Sequence, residues 1–211
     1  MQLKSLWDYF EQEIFNIESS DIFWNPYNGE NPELDITNGY LIRRNNLKNY
    51  LHQFTEFPEY MLIGEAPGPW GCRFSGLAFT SERQLVEGSL PFTGEQSSTF
   101  TPPVVERSGT VLWGILKPYH PNFFVWNSIP FHPTDPGKPL SIRTPRKSEL
   151  NQYSYILQGI IEIIKPRSLI AIGRKAEQSL EYLGFQCVYV RHPSRGGANE
   201  FRAEIAEIFS S

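Results

Sequence analysis

Four short apolar runs, each ending abruptly at a glycine or a polar residue, constrain this chain more than any other feature. They lie at residues 60–63, stopped by Gly64; 123–126, stopped by Asn127; 169–172, stopped by Gly173; and 188–190, which runs into Arg191. Segments of helical periodicity separate the later ones: residues 148–164, terminated by Lys165-Pro166, and 175–183, stopped by Gly184, with a last helix over 199–209. Buried strands alternating with helices predict a parallel sheet covered on both faces. The expected fold is α/β, a three-layer α/β/α sandwich on a short, mostly parallel four-stranded sheet. Upstream, Leu6, Phe10, Ile14 and Ile17 share one helical face over residues 5–17, and Leu47, Tyr50, Leu51 and Phe54 another over 45–57. A short helix is expected at 111–116, and the Pro- and Gly-rich stretches 21–40, 65–110 and 131–145 read as loops. No internal repeat is visible. A length of 211 residues suits one domain, with residues 1–59 as a helical extension packed on it.

Composition narrows the class. Apolar residues at 40% and charged residues at 20% exclude a wholly disordered chain. No apolar run approaches the roughly 20 residues needed to cross a bilayer, and the acidic, amphipathic start is no signal peptide. A cytoplasmic protein without membrane contact is expected. Two cysteines, Cys72 and Cys187, argue against a disulfide scaffold and against a four-cysteine metal centre. Charge is uneven: residues 1–106 carry 6 basic and 15 acidic side chains, and residues 107–211 carry 13 and 8. Lys138, Arg143, Arg146 and Lys147 lie in a stretch without a carboxylate, and Arg191 and Arg195 bracket His192-Pro193-Ser194. Such a patch suits phosphates, although a charge run is more often a solvated face.

In parallel sheets ligands bind beyond the carboxyl ends of the strands. Three of those ends carry chemically useful residues: Gly64-Glu65-Ala66-Pro67-Gly68, Asn127, and His192-Pro193-Ser194. Each alone has an ordinary explanation. Glu65 suits a surface carboxylate or helix cap, Asn127 a turn, His192 a loop histidine bonded to backbone, and Trp70 and Phe79 plain core. Other chemistries lack their signatures. His120, His132, His192 and Asp135 have no i, i+4 ligand spacing, no Gly-x-Ser-x-Gly elbow accompanies Ser194, and residues 64–71 lack a Gly-Lys-Ser/Thr ending.

Taken in order, the series is more specific. Gly64-Glu65-Ala66-Pro67-Gly68, then Gly71-Cys72-Arg73-Phe74-Ser75-Gly76-Leu77-Ala78-Phe79-Thr80, then Asn127-Ser128-Ile129-Pro130-Phe131-His132-Pro133, then Arg191-His192-Pro193-Ser194 resembles the uracil-DNA glycosylase superfamily. It is most similar to the bacterial and archaeal branch whose first motif reads Gly-Glu-Ala-Pro-Gly. The resemblance runs from Tyr60 to Phe201, roughly two thirds of the chain. It implies a hydrolase that cleaves the N-glycosidic bond of deoxyuridine in DNA after flipping the nucleotide into a pocket. Carried over by position, Glu65 would activate water and stabilise the cationic sugar, and His192 would donate to the departing base. Asn127 would read the base edge, Phe79 or Trp70 would stack on the ring, and Gly64 and Ala66 to Gly68, with Pro67, would line the pocket. Ser194 with Arg191 or Arg195 would hold phosphates.

The pattern departs from the family in three places. The four cluster-binding cysteines of that branch are missing, so no cofactor or metal is expected. The usual Gly-x-Pro-Phe-x-Gly appears as Gly-Leu-Ala-Phe-Thr-Ser, and the spacing Gly68-Pro69-Trp70-Gly71 resembles the single-strand-selective branch. After Ser194 come Arg-Gly-Gly rather than an apolar tip. The expected partner is uracil-containing DNA, single- or double-stranded. A catalytically silent nucleic-acid or nucleotide-binding module, or a glycosylase for another damaged base, is the alternative. Oligomeric state is left open, with a monomer as the default.

Overall fold

A computed structural model describes residues 2–210. The first half holds α1 (Gln2–Glu13), β1 (Phe23–Trp24), α2 (Gly39–Leu51), β2 (Tyr60–Gly64), α3 (Cys72–Ser75), α4 (Glu82–Val86) and α5 (Arg107–Leu116). After a 3-10 turn at Lys117–Tyr119 come β3 (Phe123–Asn127), β4 (His132–Pro133), α6 (Lys147–Gln152) and α7 (Ser154–Ile164). The chain finishes with β5 (Ser168–Ile172), α8 (Arg174–Tyr182), β6 (Val188–Val190) and α9 (Ala198–Phe209). The four longer strands form one sheet in the order β3-β2-β5-β6. Every pairing in it is parallel, so the sheet is wholly rather than mostly parallel. β1 and β4 make a separate antiparallel ribbon, with Trp24 opposite His132.

Side chains of β3 show how the layers stack, because successive residues point to opposite faces. Trp126 lies flat against Phe10 of α1, with centroids 5.0 Å apart and planes 7° apart. Beside α1, α7 approaches so closely that a Cβ on Gly159 would stand 2.2 Å from the Tyr9 hydroxyl. On the other face Phe123 meets Trp113 of α5 and Phe209 of α9. α2 closes the free edge of β3, where the Tyr50 hydroxyl accepts the Val125 N–H at 3.0 Å. An edge strand left open invites pairing with another chain, and this contact occupies it.

Residues 21–40 and 65–98 are tied together by a buried charge network. Asp35 accepts from Arg43 at 3.1 Å and from Arg73 at 3.0 Å, and all three side chains are fully buried. Arg43 also donates to Ser97 Oγ at 2.9 Å and to the carbonyl oxygens of Pro26 and Gly29. Arg73 lies over the rings of Phe74 and Trp24, at 4.1 and 4.9 Å. Nearby Glu82 accepts the backbone N–H groups of Ser97 and Ser98.

Several sequence expectations need correction. The helix expected at 45–57 occupies Gly39–Leu51, and the one expected at 5–17 ends at Glu13. Residues 65–110, read as loop, contain α3, α4 and the first turn of α5. Their helices are only 4 and 5 residues long in the case of α3 and α4, too short for periodicity to announce them. The helix expected over 148–164 is two helices broken at Tyr153 (φ −108°, ψ 8°). There the Tyr153 ring packs edge-on against Phe131 and Phe23, a tertiary demand that outweighs local helix propensity.

Candidate active site

Each sheet strand delivers its last residue to one edge. Gly64 of β2 stands in register with Asn127 of β3. Gly173 follows β5, its N–H bonded to the Val190 carbonyl of β6, and a Cβ built on it would lie 3.3 Å from His192 Cβ. The four carboxyl ends therefore converge without being neighbours in sequence. Beyond them opens a cleft of about 640 Å³ whose wall includes Glu65, Phe79, Asn127 and His192.

Gly64 lies directly behind Phe79 and Asn127. A Cβ there would stand 2.5 Å from Phe79 Cε2 and 2.6 Å from Asn127 Oδ1, so only glycine admits both side chains. Phe79 takes φ +51°, a left-handed conformation costly for a bulky residue, and is 6% exposed. Its turn is clamped from behind: a Cβ on Gly109 of α5 would lie 2.3 Å from the Phe79 carbonyl oxygen. The ring faces His192 with centroids 5.6 Å apart. Asn127 is buried, and no hydrogen bond among the described residues engages its side-chain amide. Ser128 locks the strand end instead, its N–H and hydroxyl both donating to the Gly64 carbonyl, at 2.8 and 2.9 Å.

His192 has a defined proton arrangement. Its Nδ1 lies 3.1 Å from the Ser194 backbone nitrogen, which donates to it, and 2.8 Å from Ser194 Oγ. Nδ1 is thus the acceptor, and in the neutral ring the proton sits on Nε2. Burial, reinforced by Arg191 and Arg195, pushes the imidazole down to about 4, so it is neutral at pH 7. Glu65 half-emerges into the cleft. Its Oε1 is buried with no hydrogen-bond partner, and burial raises its carboxyl above the usual range while Lys175 opposes the rise.

The remaining expected residues divide. Ala66, Gly68, Trp70, Ser194 and Arg195 border the cleft. Trp70 stands at its rim, 40% exposed and edge-on to Phe100, well apart in character from the buried Phe79. Gly64 and Pro67 lie behind the wall. The Pro67 carbonyl is held at 2.7 Å by Nδ1 of His132, a buried residue that thereby fixes the Glu65 loop. Arg191 turns toward α9, its N–H bonded to Glu204 and its Nε 3.9 Å from Glu200.

Glu106, just before α5, is a cleft residue that the sequence did not reveal. Its Oε1 accepts from Ser108 at 2.9 Å, while Oε2 is buried without a partner. A Cβ on Gly71 would lie 2.0 Å from that oxygen, so the glycine makes room for a carboxyl group. Burial raises its pKa to about 7, partly offset by Ser108. The one signal in the sequence was the glycine spacing at 68 and 71, and it does not name the side chain it accommodates.

The residues present do not suit a cysteine-held cluster. The chain has two cysteines, and among the described residues no group of three or more His, Cys, Asp or Glu is placed to hold a metal ion. Among the described residues no helix is long and apolar enough to cross a membrane.

The family model described as the Uracil DNA glycosylase superfamily matches residues 51–209. No curated protein shows significant sequence similarity to the chain. Among solved structures, the crystal structure of wild-type SMUG2 from Pedobacter heparinus superposes with a TM-score of 0.60 at 16% identity, covering 97% of this chain and 95% of that one.

Proposed function

The chain belongs to the uracil DNA glycosylase superfamily, and from that membership and the cleft we propose that it hydrolyses the N-glycosidic bond of deoxyuridine in DNA. The observation that carries this reading is the convergence of Glu65, Phe79, Asn127 and His192 on one cleft at the carboxyl edge of the sheet. A flipped nucleotide enters this cleft, at a cost of a few kcal/mol for unstacking. Phe79 supports the base ring. The uncommitted amide of Asn127 supplies one donor and one acceptor, as the O4 and N3–H edge of uracil requires.

The bond between C1′ and N1 breaks with its electron pair going to the base. Negative charge then grows on uracil O2, where the Nε2–H of neutral His192 donates. Pre-aimed donors at developing charge are usually the largest single electrostatic contribution to such a rate. The sugar becomes oxocarbenium-like, and the Glu65 carboxylate stabilises it and orients the attacking water. Water oxygen bonds to C1′, its proton passes to Glu65, and the base anion takes up a proton from solvent. The products are an abasic sugar and free uracil. Ser194 and Arg195 bind the flanking phosphates, and Arg191 braces their loop against α9.

Single-turnover excision from uracil-containing single- and double-stranded oligonucleotides tests the reading. Glu65→Ala and His192→Ala should each slow excision by about 10²-fold or more. A wild-type protein that binds these oligonucleotides and leaves them intact is a binding module instead. Excision of hypoxanthine or mismatched thymine in preference to uracil would assign the cleft to another base.

A further inference from the structure

Ile142 is the most exposed large apolar side chain among the described residues, at 81%, and it lines the same cleft as Glu65, Phe79, Asn127 and His192. Val105 and Trp70, the other exposed apolar residues of that cleft, are about half as exposed, and Trp70 rests on Phe100. A lone exposed isoleucine on a slack loop would mean little. This loop is not slack. On one side of Ile142, Ser141 accepts the Asp135 N–H at 2.7 Å and donates its own N–H to Lys138 at 3.0 Å. On the other, Arg143 donates to the carbonyls of Thr134 and Ile22, at 3.1 and 2.9 Å, and pairs with Glu149 at 2.7 Å. Two residues further on, Pro145 is buried. Both neighbours of Ile142 are fixed while its own side chain is held out in water.

The surroundings are positive. No carboxylate interrupts the chain between Asp135 and Glu149, and Lys138, Arg146 and Lys147 are exposed there. Arg195 is exposed on the part of the rim that follows His192. That second loop continues as Gly196-Gly197, and its one apolar side chain, Pro193, is buried.

We propose that Ile142 is a wedge that enters the base stack of duplex DNA and fills the place left by the everted nucleotide, with Lys138, Arg146 and Lys147 on the adjoining phosphates. Apolar side chains inserted between base steps hold a duplex unstacked, and a rigid loop is what such insertion needs. The inference rests on the glycosylase reading only in requiring a nucleotide drawn into the cleft. It predicts a specific split: Ile142 matters for a stacked duplex and not for a single strand, where no stack has to be opened.

The test pairs two measurements on the full chain. One is single-turnover uracil excision from single-stranded and duplex DNA. The other is the fluorescence of 2-aminopurine placed beside the uracil, which rises when the neighbouring stack opens and needs only binding. For Ile142→Ala, duplex excision should fall by about 10-fold or more and single-strand excision stay within about 2-fold. The fluorescence rise seen with the wild type should vanish at saturating protein, and Ile142→Leu should restore both. Equal duplex rates and equal fluorescence would overturn the wedge and leave the glycosylase reading intact. A parallel fall on single strands would show that Ile142 acts on the nucleotide inside the cleft rather than on the stack, and would overturn the wedge too. A wild type that cleaves neither form removes the glycosylase reading, and fluorescence then decides the wedge alone. Saturated binding with no rise, or no duplex binding, overturns it.

Discussion

The edge of the Phe79 ring passes so close to Gly64 that a single methyl group on the glycine would stand 2.5 Å from it. That contact couples the backbone of the central strand to the floor of the cleft. Gly64→Ala should therefore displace Phe79 and Asn127 together. Overpacking of this kind costs about 1–3 kcal/mol, read as a lower urea midpoint. Uracil excision should fall by about 10-fold or more while the helical circular dichroism is retained. Excision at the wild-type rate would show that Phe79 and Asn127 are not the base-holding surface.

His192 should titrate near 4 and carry its proton on Nε2 at neutral pH, both readable from 15N shifts of the ring. Because the folded value lies below the ordinary 6.5, the unfolded chain binds more protons between the two. This histidine's contribution to stability is therefore complete above about pH 6.5 and lost as pH falls through 4. Excision should decline over the same acid range. A second ring proton would face the Ser194 N–H that Nδ1 now accepts. An imidazole titrating near 6.5, or protonated at Nδ1, would contradict this arrangement.

Glu106 produces the opposite slope. Its folded value near 7 exceeds the usual 4.5, so the native protein binds the extra proton across that window. Stability should fall as pH rises from about 4.5 to about 7. Glu106→Gln keeps the shape without the charge and should flatten that fall. The variant should melt higher than wild type at pH 8 and equally at pH 4. A gain that does not depend on pH would locate the effect in packing rather than ionisation.

The buried carboxylate of Asp35 serves two guanidinium groups, which makes the three positions unequal. Asp35→Ala strands two charges in the core and should cost about 3–5 kcal/mol or prevent folding. Arg73→Met leaves the Asp35–Arg43 pair intact and removes two guanidinium nitrogens, Nε and Nη2, that have no partner. It should cost markedly less in urea denaturation. Equal losses would mean that Arg73 contributes chiefly through its stacking on Phe74 and Trp24.

Much of the architecture was legible because buried parallel strands are written as continuous apolar runs, and three of the four runs here stop at, or one residue before, a position of the site. Gly64, Asn127 and His192 could be placed at one edge before any coordinate was known. What escaped depends on the paths of long loops. Glu106 reaches Gly71 from 35 positions away. His132 holds Pro67 from 65 positions away, and Asp35 meets Arg73 across 38. No local pattern encodes such meetings. Ile142 was hidden for a different reason: an isoleucine in a loop gives no sign in sequence of whether it is buried or held out. The break at Tyr153 was invisible because the aromatic partners that cause it, Phe23 and Phe131, belong to other segments.

The flat contact between Phe10 and Trp126 bears on where this protein can be cut. Phe10 lies well ahead of residue 51, where the family match begins, yet its partner immediately precedes Asn127. A fragment trimmed to the recognisable span would strip the cover from an indole and leave the tip of its strand free to wander. Such a fragment would lose aim before it lost shape, and its silence in an assay would say nothing against the activity proposed for the full chain.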